Sequence, residues 1–175
     1  MILYGTLLLL CAAVIAAAHW HEMKGQREEA FDRLATIATG LADQIPVRHA
    51  SLLLGENKSP GLIIKPTQDA RYYVVHGQLR KAAVRNGMES PLLLVTKDER
   101  GDLVIVATSE ERPRFRASLD LAAPLTDLYE TGGRAVVGDE LNFLAPLADE
   151  QSAMTTSAIL ARSPASAAMS AAYAA

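Results

Sequence analysis

The chain is poor in the residue types that announce chemistry most directly. It has 175 residues and a single cysteine, Cys11, which excludes a disulfide-stapled scaffold and a thiolate-rich metal module. Its four histidines, His19, His21, His49 and His76, form no HExxH pair and join no Cys/His cluster, so no metal site is expected. A GxSxG nucleophile turn is missing, as are GxGxxG and a phosphate loop ending in GKS or GKT; Gly132, Gly133 and Gly138 are too sparse to serve as one. The acidic pairs Asp98–Glu99 and Glu110–Glu111 fall in turn-like polar stretches and read as solvated, not as general acid–base dyads. The chain is therefore expected to be no enzyme and to use no cofactor. An excess of one charge is also lacking: 17 Lys and Arg stand against 20 Asp and Glu, leaving a net charge of −3. Without a basic field, nucleic acid is not an expected partner.

What the chain does have is a folded composition, 50% hydrophobic and 21% charged, and an uncharged opening. Ile2 to Ala18 carry no charged side chain, and with His19 and Trp20 they make 19 residues. That is close to the ~20 residues that cross a ~30 Å hydrocarbon core. Trp20 suits the headgroup level, with His19 and His21 marking the return to water. No Lys or Arg precedes Lys24, so the basic start of a signal peptide is missing. Residues 1–20 accordingly read as a transmembrane anchor in contact with the lipid bilayer through residues 2–20. A signal peptide ending at Ala16-Ala17-Ala18 is the alternative. Leu10 is too large to precede a lipoprotein cleavage at Cys11. Lys24, Arg27 and Arg33 follow the span, and the positive-inside rule would by itself hold the remainder in the cytoplasm.

Beyond the span, Phe31, Leu34, Ala35, Ile37, Ala38, Leu41, Ala42 and Ile45 recur at helical spacing and predict a juxtamembrane helix over 21–46, continuous with the anchor and ended by Pro46. Positions 31, 34, 38, 41 and 45 alternate by 3 and 4. They serve either as a first core stripe or as the seam of a parallel homodimer, and the two uses are compatible. Residues 47–66 read as an irregular connection with one helical turn or short strand. A second helix is predicted over 67–86, with Tyr72, Val75 and Leu79 buried and Gly87 supplying the left-handed residue after its end. The period then changes. Strands are predicted at 91–96 and 103–108, joined by an Asp98–Asp102 turn, and later at 134–137, 141–147 and 155–161. A short helix at 124–131 ends at Gly132-Gly133, and the Ala/Ser-rich residues 164–175 are read as a C-terminal helix or tail. The expected class is α+β, with a five-stranded antiparallel sheet flanked by helices in residues 47–163.

Several segments carry a family likeness. Tyr72-Tyr-Val-Val-His-Gly-Gln-Leu-Arg-Lys81 resembles the helix before the first strand of the extracytoplasmic PAS-like sensor domains of the Cache group. Ser90-Pro-Leu-Leu-Leu-Val-Thr96 and Val104-Ile-Val-Ala-Thr108 are similar to the first two strands of those domains. Leu125-Thr-Asp-Leu-Tyr-Glu-Thr-Gly132 resembles their small helix, and Leu141-Asn-Phe-Leu-Ala-Pro-Leu-Ala-Asp149 a later strand and turn. The likeness spans about His49 to Arg162. Leu93 and Leu94 stand where many members carry an aromatic, and Arg162 stands near the place of a strand-ending Asp. Such domains belong to bacterial membrane-bound receptors, kinases and nucleotide cyclases. The resemblance implies a single-pass protein of the bacterial inner membrane with its domain in the periplasm.

From these readings the expected role is a sensor that binds a small ligand or partner and passes a helix shift across the membrane. The alternative is a bitopic adaptor whose sheet face is filled by residues such as Leu93, Ile105 and Phe143. A pocket is expected on the sheet face under the loop after the second strand. Thr96 and Thr108 offer hydroxyls at strand ends, and Arg112, Arg114 and Arg116 offer forks for a carboxylate.

Overall fold

The uncharged opening and the amphipathic stretch after it form one unbroken helix, α1, Ile2–Ala42. The computed structural model describes residues 2–56, 69–120, 123–148 and 155–166. The two halves of α1 have opposite surroundings. In the first half the described apolar side chains Tyr4, Leu7, Leu9, Leu10, Val14, Ile15 and Trp20 are 60–78% exposed. In the second, Phe31, Leu34, Ile37, Ala38 and Leu41 are 0–7% exposed and pack into the chain's own core. Among the described residues no helix is long and apolar enough to cross a membrane.

Two helices complete the layer that α1 begins: α2, Val47–Glu56, and α3, Ala70–Arg85. A whole helix thus stands where the sequence suggested one helical turn or a short strand; Ala50 and Leu53 give α2 a narrow buried stripe, too brief to stand out beside Gly55, Pro60 and Gly61. Residues 57–68, which include the apolar Leu62-Ile63-Ile64 and the expected helix start at Thr67, lie outside the described residues. Asp69 caps α3 by accepting a hydrogen bond from Arg71 N at 3.0 Å. At the other end Gly87 takes φ +57°, so that Gly87 N bonds Val84 O and Met88 N bonds Ala83 O, the paired closure that a left-handed glycine permits.

Among the described residues the sheet has six antiparallel strands, β1 Leu93–Lys97, β2 Leu103–Thr108, β3 Ala117–Ser118, β4 Gly133–Val137, β5 Glu140–Ala148 and β6 Thr155–Pro164. Their order is β3-β2-β1-β6-β5-β4. The expected count of five is corrected by β3. Its two residues pair with Val104 and Ile105, and so short a strand leaves no alternation to read. Pro164, where the C-terminal helix or tail is expected to begin, closes β6, and residues 165–166 after it are helical; residues 167–175 lie outside the described residues. The β1–β2 turn forms as its composition implies. Asp98 Oδ1 accepts from Arg100 N and Asp102 N, and Gly101 adopts φ +85°.

Apolar residues bury both faces of the sheet. One face, with Leu92, Leu94, Val106, Leu141, Ala145 and Ile159, packs under α1, α2 and α3. The other, with Leu93, Val95, Ile105, Leu144 and Leu160, packs under α4, Ala123–Thr131, through Leu125 and Tyr129. The chain leaves α4 through Gly132 at φ +71°, where a Cβ would stand 2.7 Å from Pro146 Cδ.

Candidate functional site

The junction between α3 and the polar loop after β2 holds a cluster of polar and aromatic side chains. Its centre is Tyr72, fully buried on the inner face of α3. Its hydroxyl donates to Arg114 O and accepts from Arg114 N, each at 3.0 Å, so one side chain satisfies both backbone groups of a loop residue. The ring stacks on His76 at 5.9 Å and meets Tyr73 and Phe115 edge-on. Burial pushes the Tyr72 phenol up to about 12, with the Arg114 backbone hydrogen bond opposing part of that rise. His76 Nδ1 lies 2.6 Å from Thr108 O; a carbonyl can only accept, so that nitrogen carries the proton.

The five residues expected to meet a ligand do not converge on one pocket. Thr108 is buried, and its Oγ1 accepts from Glu110 N at 3.1 Å, which starts the loop. Thr96 is also buried, at the far end of β1 beside the Tyr129 hydroxyl at 3.5 Å. Arg112 stands in solvent, and Arg114 reaches Glu110 at 3.4 Å. Arg116 holds a left-handed φ of 51° and donates from Nη2 to Leu54 O at 2.6 Å, a cation on the carbonyl end of α2. Beside it is a cleft of about 170 Å³ lined by Leu54, Gly55, Lys97, Asp98, Glu99 and Arg116. That is below the ~300–1,000 Å³ usual for small-molecule sites.

Two charged anchors frame this region. Arg71 bonds both Asp69 and Glu56, tying α2 to the start of α3; the Arg71 hydrogen bond holds the Glu56 carboxyl below its ordinary range. Lys97 bonds Glu130 at 2.8 Å while lying over the Tyr129 ring, and its hydrogen bond lowers Glu130 in the same way. Burial raises the Tyr129 phenol.

A second polar spot, which no periodicity in the sequence marks, lies inside the sheet. Asn142 on β5 is 1% exposed; its Nδ2 donates to Glu140 O, while its Oδ1 is buried without a partner. Its cross-strand neighbour Arg162 carries a buried, unpartnered Nε, and its Nη1 lies 3.6 Å from Glu140. An amide within the apolar run Leu141-Asn-Phe-Leu-Ala was the available signal.

No protein-family model matches the chain, and no curated protein matches it. Among solved structures it is similar to the periplasmic domain of RsbU from Chlamydia trachomatis, at 13% identity and a TM-score of 0.35. The match covers 89% of this chain and 58% of that one, so the chain spans less than two thirds of that structure.

Proposed function

We propose that the chain is a membrane-anchored, extracytoplasmic sensor module of the PAS-like Cache kind, without enzymatic activity, seated in a bacterial inner membrane. The observation that carries the proposal is the division of α1. One rigid helix presents exposed apolar side chains over its first half and supplies the domain's core over its second. A shift in how Phe31, Leu34 and Leu41 pack is therefore a shift of the segment bearing Leu10 and Val14. A ligand that binds one of two packings more tightly biases the helix, and ~5.5 kcal/mol of differential binding is enough for a full switch. The anchor assignment draws on the sequence as well as the described residues, since Ile2 to Ala18 are uncharged throughout.

A bitopic adaptor is the second reading, favoured by the filling of the α4 side of the sheet. Leu93 and Ile105 are buried there, whereas Phe143 packs on the opposite face, under the helices. The sensor reading needs the domain outside the cytoplasm. Protease added to intact spheroplasts should remove residues 49–162 and leave a membrane-embedded stub; a domain protected until the cells are lysed would sink it.

A further inference from the structure

The outer faces of α1 and α3 have opposite chemistry. Along α1, Glu22, Gly25, Glu29, Asp32 and Thr36 follow 3- and 4-residue steps on the side opposite the buried Phe31, Leu34, Ala38 and Leu41, and all five are exposed. No Lys or Arg falls on that stripe. Along α3, Val74, Gly77, Lys81 and Val84 do the same opposite Tyr72, Val75 and Leu79, with Arg85 beside them, and α3 contains no acidic residue. Val74 and Val84 are 51% and 75% exposed. A Cβ at Gly25 or Gly77 would meet nothing within 4 Å, so both stripes face outward at a point where a neighbouring helix can come close. Glu29, Asp32, Lys81 and Arg85 have no ion-pair partner among the described residues.

We propose that these faces join two copies of the chain, α1 of one copy against α3 of the other, and the reverse contact by symmetry. The two helices lie side by side in one layer on one face of the sheet. A two-fold axis along that layer sets each α1 opposite the partner's α3. Pairing α1 with α1 would instead place Glu29 and Asp32 on their own images, and pairing α3 with α3 would do the same for Lys81 and Arg85. Only the crossed arrangement sets acid against base. The heights also agree. Arg33 bonds Asn86 O, which holds the last turn of α3 level with Asp32. An axis parallel to α1 preserves that level, so Lys81 and Arg85 meet the acidic stripe of the other copy. The direction of the axis rests on the anchored reading above, because two helices held in one bilayer run parallel and at high effective concentration.

Cross-linking tests the pairing in the full chain. In a Cys11→Ser background, copies carrying only Asp32→Cys and differently tagged copies carrying only Lys81→Cys are co-expressed and treated with a short bis-maleimide. The mixed product should exceed the Asp32→Cys self-product by about tenfold. Equal or greater self-product would show α1 against α1 and overturn the proposal, as would absence of the mixed product. In a second arm, Glu29→Lys with Asp32→Lys should abolish pairing, and adding Lys81→Asp with Arg85→Asp should restore it. Failure to restore would overturn the proposal, because all four side chains are exposed and none supports the core. Fractionating the same cells reports the anchor separately. A mixed product in a soluble fraction would sink the anchored reading and leave the pairing standing.

Discussion

Tyr72 shows how one hydroxyl organises a loop. Replacing it with Phe keeps the buried ring and its stack on His76 but removes two hydrogen bonds to Arg114, which should cost about 1–3 kcal/mol in urea unfolding at neutral pH. The phenol adds a pH signature. Its folded pKa of about 12 lies above the ~10 of an unfolded tyrosine, so the folded state holds the proton more tightly. The stability it contributes is complete below pH ~10 and is lost as pH rises through 12. Tyr129, also raised by burial, contributes a loss of the same sign as the pH rises. Between pH 10 and 12 the parent should lose stability more steeply than Tyr72→Phe, and equal slopes would contradict the assignment. This role was only half legible beforehand. The helical spacing of Tyr72, Val75 and Leu79 marks a buried stripe, but it carries no information on which backbone group, 42 residues away, a buried hydroxyl will meet. The arginines of the loop were legible as charge and not as structure. Arg116 caps α2 and Arg114 is held by its own backbone, because a loop's side chains are aimed by tertiary contacts that leave no period in the sequence.

At the scale of elements, the second half of α1 is the keystone of the helical layer. Its stripe at 31, 34, 38, 41 and 45 fits a core and a dimer seam equally by spacing, and in the structure it is buried within the chain itself. Replacing Leu34 and Leu41 together with Asp should therefore unfold the domain, since two carboxylates would enter an apolar core. Circular dichroism showing a folded domain, with sedimentation as a monomer, would instead mark a seam. Elements with long, clean periodicity were readable: α1, α3 with its Gly87 closure, and the β1–β2 hairpin around Asp98 and Gly101. The strand order was not. The central pairing joins β1 to β6, with Leu93 opposite Leu160, and nothing local in either strand encodes a partner 67 residues distant. Short elements escaped for a related reason, because α2 and β3 offer too few residues for a pattern to rise above their glycines, prolines and arginines.

For the molecule as a whole, the first half of α1 is the element that its own core does not account for. A helix wholly in water gains nothing from exposing Leu7, Leu9, Leu10, Val14 and Ile15 on all sides, and a soluble protein rarely leaves so continuous an apolar surface uncovered. Those side chains touch no part of the core, so changing them separates location from folding. An arginine near the middle of a membrane helix costs about 2.5–3.5 kcal/mol on insertion scales. Leu10→Arg combined with Val14→Arg should thus weaken insertion by roughly 5–7 kcal/mol if the two costs add. The parent should stay in the membrane pellet after carbonate extraction, and the double variant should move to the soluble fraction with its far-ultraviolet spectrum intact. Release of the parent by carbonate would remove the anchor from the proposal. Retention of both proteins would assign membrane attachment to some surface other than this helix. A variant that leaves the membrane still folded would also show that the domain's packing does not depend on the bilayer, as a module that signals through its terminal helix requires.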